Sequence, residues 1–253
     1  MQEIKNVLSI DMDYVMAPCI QLYNRMVGPI FDDLKEDFDD REVGYYGTRM
    51  KEFWDYMDDE LCCSRFFMFD NTKYEDIKNL LSSKLKGMND SKVYFGKEHD
   101  SILTFLCGDI NKKDYVYNIY NVDHHHDIYY QDTARDRIEN FACAGLAEWG
   151  WYLYDFGKLN KFYWIKNKES HYPFKDIEDE SEFCNLYDYE KVTDLENTFF
   201  DYIFVCKSEY YVPPKYHFLF DSIKSLAETI LNTKLLVDNT SYCDGRTRFP
   251  AGW

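Results

Sequence analysis

Three short segments concentrate the side chains best able to hold a metal ion. The densest is Asn121-Val122-Asp123-His124-His125-His126-Asp127-Ile128, which follows the β-rich run Tyr115 to Val122. If the strand carries on through it, Asp123, His125 and Asp127 fall on one face, because strand side chains alternate with period two. Carboxylate, imidazole and carboxylate would then stand side by side. Such a mixed oxygen and nitrogen set suits Mn²⁺, Fe²⁺, Zn²⁺ or Co²⁺, whereas Mg²⁺ and Ca²⁺ prefer oxygen alone. The plainer alternative is a polar loop with a chance run of histidines. The flanking aspartates at the end of an apolar strand speak against it.

Ser9-Ile10-Asp11-Met12-Asp13 repeats the arrangement at the end of the apolar run Val7 to Ile10. Asp11 and Asp13 are two residues apart and are expected to face the same way. Two such carboxylates at a buried strand end repel each other and resist ionisation, a cost that a cation between them removes. Asp-x-Asp after a strand is also common in phosphatases and nucleotide enzymes. The third segment, Gly96-Lys97-Glu98-His99-Asp100, places His99 just after the strand candidate Val93 to Phe95. A lone histidine there is more often a satisfied surface residue. Six candidate ligands at three strand ends change that weighting, since open α/β sheets carry their sites at such ends.

The elements that must position these residues alternate between strand and helix. Strands are expected at Val7 to Ile10, Val93 to Phe95, Tyr115 to Val122, Leu159 to Lys166 and Phe199 to Cys206. Helical patterns run near 48–60, 73–86 (closed by Gly87), from Ile102 to Leu106, over 136–157 and over 215–232. Residues 17–46 read as a short helix and an acidic loop, and 207–214 as a loop. The alternation predicts an α/β fold: three layers, with a mostly parallel sheet covered by helices on both faces. No Ser/Gly linker or internal repeat interrupts it, so residues 1–253 are read as one domain, with 176–196 as an acidic surface insertion.

The chain carries 46 acidic and 29 basic side chains, a net charge of −17 that argues against nucleic acid as a partner. A divalent metal or a cationic substrate fits better. The 23 Tyr and 19 Phe suit a bulky core first and a peptide-contacting surface second. Apart from the adjacent Cys62-Cys63, the eight cysteines are scattered without a C-x-x-C pair, and most read as reduced core residues. No apolar run reaches the ~18 residues of a membrane span, and MQEIKNVLSIDMDY lacks a secretory leader's layout. The expectation is a soluble, cytoplasmic protein without a membrane partner.

Together the three motifs resemble the metal motifs of the arginase/agmatinase ureohydrolases. D-x-H-x-D at 123–127 looks like that family's central motif, S-I-D-M-D at 9–13 its S-F-D-x-D strand, and G-K-E-H-D at 96–100 its G-G-D-H segment. In arginases the Asp-x-Asp strand follows the other two motifs, whereas here it comes first. That order, with the DMDY start, H-D-S-I-L-T-F-L and S-E-Y-Y-V-P-P, resembles a divergent arginase-like family. Some of its bacterial members are peptide arginases that convert arginine in ribosomal precursor peptides to ornithine.

The resemblance implies two Mn²⁺ ions per chain, bridged by Asp11 and Asp123. His99 and Asp127 would complete one ion, and His125 and Asp13 the other. It also implies an arginine-containing precursor peptide as partner and urea as product. The leaving amine needs a general acid, for which His126 and His171 are the candidates. Glu209, next to Tyr210, is the candidate for gripping the substrate guanidinium, because a cation fork wants a carboxylate. The Asn/Ser-rich loop with which arginases grip free arginine is replaced here by Tyr129-Tyr130-Gln131-Asp132, which favours a larger ligand. Three other readings stay open. One is a small-molecule ureohydrolase of the arginase or agmatinase type, and a second is a deacetylase-like amidohydrolase with a single zinc and a histidine pair. The third is a non-enzymatic peptide-binding protein that keeps a structural metal.

Overall fold

The computed structural model describes residues 2–18, 67–107, 114–128, 149–167, 191–209 and 212–239. The expected helix at 48–60, the segment 136–148, the acidic stretch 176–190, His171 and Tyr210 lie outside them.

Six strands form one sheet: β1 (Glu3–Asp11), β4 (Val93–Gly96), β5 (Tyr115–Asp123), β6 (Leu159–Lys166), β7 (Tyr202–Cys206) and β8 (Val237–Asp238). Their order is β6-β5-β1-β7-β4-β8, and every pair is parallel. Two short strands, β2 (Met16–Pro18) and β3 (Phe67–Phe69), pair antiparallel beside it. Parallel strands covered on both faces need apolar residues on both, which is why β7 and the second half of β1 read as nearly unbroken hydrophobic runs.

Among the described residues four helices cover the sheet: α1 (Asn71–Lys84), α2 (Ile102–Cys107), α3 (Trp149–Asp155) and α4 (His217–Leu231). Strand parity divides the core into two layers. Leu8, Ile10, Tyr120, Val122, Ile203 and Val205 pack under Ile77 and Leu81 of α1 and Leu219 and Ile223 of α4. On the opposite face Val7, Tyr117, Ile119, Phe204 and Trp164 pack under Leu103 and Leu106 of α2 and Trp149 and Leu153 of α3. The fold is therefore the expected three-layer α/β arrangement. Much of the aromatic content is core: Trp149, Trp164, Tyr117, Tyr152, Phe95, Phe162 and Phe204 are all fully buried. Cys206 is buried and free.

Local chemistry sets the helix ends. Asp70 caps α1, its carboxylate accepting from Thr72 N at 2.9 Å and Lys73 N at 3.2 Å. The helix begins two residues before the sequence pattern suggested because that cap lies outside the apolar periodicity. Asn232, at φ 51°, ends α4 in the left-handed conformation. The edge strand β8 was not expected, since two paired residues leave no alternation to read. Of the 176–196 stretch, Val192–Leu195 form a 3₁₀ turn that buries Val192 and Leu195 in the α1/α4 layer. Among the described residues no helix is long and apolar enough to cross a membrane.

Candidate metal centre

The chain leaves β1 for β4 on one side and then returns to β5 on the other, so the carboxyl ends of β1 and β5 flank a switch point. Parallel sheets open a crevice there. Ser9 lies opposite Asn121 in the register, and Ile10 opposite Val122. Asp11 and Asp123 therefore end neighbouring strands side by side, on the α2/α3 face. Asp11 also sits opposite Cys206, and Cys206 opposite Gly96, which extends the row to β4.

His99 reaches the same place from the turn after β4. A 3₁₀ turn, His99–Ser101, folds back over Phe204, and the glycine at 96 leaves room for it: a Cβ there would run into Ser101 Oγ and lie 3.1 Å from the Phe204 ring. The imidazole stacks on Phe204 at 5.7 Å and leans on Trp149 at 4.8 Å. Its Nε2 is 2.7 Å from Ser9 Oγ. Its Nδ1 faces three carboxylates: Asp127 Oδ2 at 2.8 Å, Asp11 Oδ2 at 3.1 Å and Asp123 Oδ2 at 3.2 Å. Despite those distances no hydrogen bond of good geometry reaches Nδ1.

A second group forms beside it. His125 Nδ1 lies 2.8 Å from Asp13 Oδ2 and 3.9 Å from Asp123 Oδ1. Asp13 Oδ2 is buried and likewise lacks a hydrogen bond. Four other carboxylate oxygens are held by backbone and amide donors. Asp11 Oδ1 accepts from Asp13 N at 2.9 Å, Asp13 Oδ1 from His124 N at 3.2 Å, and Asp123 Oδ1 from His125 N at 2.8 Å. Asp123 Oδ2 accepts from Asn121 Nδ2 at 3.0 Å.

The structure thus brings all six expected ligands together, but not by strand alternation. β5 stops at Asp123, the chain bends, and Asp127 sits at φ 57°. Asp123, His125 and Asp127 converge through a turn that backbone bonds to carboxylates shape. Asp11 and Asp13 do not face the same way either. Asp13 lies in the 3₁₀ turn Met12–Val15, so Asp11 turns to His99 and Asp13 to His125.

Electrostatics describe the same arrangement. Burial, with Asp11 and Asp123 nearby, pushes the Asp13 carboxyl well above its ordinary range. Burial and the Asp123 charge do the same to Asp127. Burial works against the charge on Asp123 as well, but the close approach and charge of His99, helped by His125, hold its carboxyl low. His99 is pushed down by burial and more strongly up by Asp127 and its other acidic neighbours. Two buried carboxylates that resist ionisation, and two buried donor atoms left without hydrogen bonds, fit a cation. Asp11–His99–Asp123 and Asp13–Asp123–His125 can each hold a metal ion, with donor atoms within 4.8 Å of one another in each group. Asp123 belongs to both.

The remaining candidates stand differently. His126 is buried, its Nδ1 accepts from Ile128 N at 3.2 Å, and its ring meets the Trp164 edge at 5.6 Å. Glu209 is already engaged by two lysines, at 2.7 Å from Lys207 and 3.6 Å from Lys97. Burial raises its pKa, but the Lys207 bond and both lysine charges outweigh that and hold it below the usual range. Sequence reasoning passed over Ser9, Asn121 and Trp149. Ser9 and Asn121 share strand parity with Asp11 and Asp123, a signal that was there to use. Trp149 had none.

No family model, curated protein or solved structure matches this chain. Fold and site stand on their own residues.

Proposed function

We propose that this cluster holds two divalent ions, Mn²⁺ by preference, and that the chain hydrolyses a guanidino group, converting arginine in a precursor peptide to ornithine with release of urea. The observation that carries the reading is Asp123, shared by two donor groups that each contain a buried, unsatisfied donor atom: His99 Nδ1 in one and Asp13 Oδ2 in the other. Four carboxylates balance the charge of two divalent ions while both imidazoles stay neutral. The likeness of the three motifs to ureohydrolases supplies the reaction.

In this reading Asp123 and Asp11 would be shared by the two ions, with His99 and Asp127 holding one and His125 and Asp13 the other. The bound pair would supply a water that is nucleophilic near neutral pH. Water would add to the guanidinium carbon, the bond from that carbon to the side-chain nitrogen would break, and the amine would leave with a proton from a side-chain acid as urea forms. His126 is a proton donor whose proton sits on Nε2, because Nδ1 accepts from Ile128 N; His171 is the other candidate. Glu209 exchanges its lysine partners for the substrate guanidinium, which offers a flat two-pronged donor where an ammonium offers a point charge. Tyr210 lies next to it in the chain, and the net charge of −17 draws a cationic peptide.

Urea release from arginine-containing peptides, free arginine and agmatine, assayed with Mn²⁺, tests the proposal. Peptides are expected to outperform the small guanidines. Ions bound without urea from any of them would sink the reading. One observation favours a second reading. Asp11, His99 and Asp123 alone make a complete one-ion site of two carboxylates and one imidazole, the set of a deacetylase-like amidohydrolase. A single zinc per chain would select it.

A further inference from the structure

Asp127 is placed by two contacts from one short stretch of chain. Its Oδ2 accepts a hydrogen bond from Trp149 Nε1 at 2.5 Å, and its backbone oxygen accepts one from Gly150 N at 3.1 Å. The residue needs such a hold, because φ 57° is a conformation uncommon outside glycine. Gly150 makes the approach possible: a Cβ there would lie 2.5 Å from Ile128 Cγ2 and 3.1 Å from Asp127 O. Trp149 is fully buried, and its ring packs against His99 at 4.8 Å and Phe162 at 5.6 Å. One indole therefore touches two of the six candidate ligands, and those two face each other, His99 Nδ1 lying 2.8 Å from Asp127 Oδ2. Ligand bonds of ~2.0–2.2 Å place neighbouring donor atoms about 3 Å apart, so this pair is spaced to share one cation.

We infer that Trp149, seated by Gly150, is a positioning residue for the ion on the His99 side: its N–H fixes the Asp127 carboxylate while its ring backs the His99 imidazole. The inference rests on the metal reading above. An indole N–H only donates and does not titrate, so it can orient a carboxylate without competing for the cation. A neutral donor also draws some charge from the oxygen it holds, which leaves the cation less neutralised than a free carboxylate would. The apolar ring keeps water from the back of the imidazole. The second ion, on Asp13 and His125, takes neither of the ligands that Trp149 touches, and Trp149→Phe should spare it.

The test uses the full chain and Mn²⁺ alone, with affinities read by chelator competition. Trp149→Phe keeps an aromatic ring and removes the N–H. One ion is expected to bind about 10–100-fold more weakly, the usual effect of losing a partner that orients a ligand, with the other at its wild-type affinity. Two ions at wild-type affinity in the variant would show that the indole only packs, and would overturn the inference. A second readout needs no metal. In a ¹H–¹⁵N spectrum of the metal-free chain, the assigned Trp149 indole signal should shift and exchange faster in Asp127→Ala. An unmoved signal also overturns the inference, even if Trp149→Phe fails to fold. If the wild-type chain takes up no Mn²⁺ while that signal does respond, the metal reading falls. The positioning role falls with it, and what remains is a hydrogen bond that merely seats α3.

Discussion

Ser9 Oγ lies 2.7 Å from His99 Nε2, one strand rung below Asp11 on the same face of β1. With His99 donating from Nε2, its Nδ1 keeps a lone pair and points into the carboxylates of Asp11, Asp123 and Asp127. The Ser9 hydroxyl can accept from Nε2–H and so supports the tautomer whose Nδ1 can ligate.

Removing that hydroxyl should loosen one ion. Ser9→Ala is expected to weaken the ion on the His99 side about 10–100-fold and to leave the other unchanged. Chelator competition measures both, and equal losses at the two sites would contradict the assignment.

Asp13 should burden the metal-free protein. Its carboxyl is raised by burial and by Asp11 and Asp123. A group that binds its proton more tightly when folded lends stability below its unfolded pKa of about 4, and that stability is lost as pH rises toward the raised folded value. Asp13→Asn is therefore expected to raise the Tm in EDTA at neutral pH and to shrink the gain on adding Mn²⁺. Calorimetry under both conditions checks this, and a lower Tm in EDTA would count against it.

Asn167 ties the turn that carries Asp13 to the end of β6. It is fully buried, its Nδ2 donating to Tyr14 O at 2.7 Å and Met16 O at 3.1 Å, and its Oδ1 accepting from Lys73 Nζ at 2.6 Å. Asn167→Ala should cost about 1–3 kcal/mol for each buried partner left unsatisfied. A urea-unfolding midpoint that does not move would refute the role.

Much of this was legible in the sequence, and the failures have physical causes. The apolar runs of β1, β5, β6 and β7 gave the parallel sheet, because doubly covered strands cannot hide their composition. Asp11, His99 and Asp123 were readable as strand-end residues. The path to Asp127 was not, since a left-handed residue and a turn built on side-chain acceptors leave no period to follow. Nor was Trp149, whose contact with Asp127 spans 22 residues of chain and depends on how α3 docks. That Asp-x-Asp comes first in the chain costs the site nothing, because β1 lies between β5 and β7 in the sheet.

Glu228 gives the fold an acid limit away from the site. Its carboxylate accepts from Lys224 Nζ at 2.6 Å and Leu235 N at 3.0 Å, fastening α4 to the segment before β8. The Lys224 bond first, then Leu235 N, hold its pKa at about 2 against an ordinary 4.5. A depressed folded pKa contributes stability above the unfolded value and loses it as pH falls through the folded one. The stability gap between wild type and Glu228→Gln should therefore close as pH drops from 4.5 to about 2. Urea unfolding across that window measures it, and a constant gap would exclude the linkage.

The most direct test of the account is a count of ions. Purified chain loaded with Mn²⁺ and freed of excess should carry two ions, and Asp123→Ala, which removes the carboxylate common to both donor groups, should carry none. A folded wild-type chain that retains no ion, or an Asp123→Ala variant that still holds two, would contradict it.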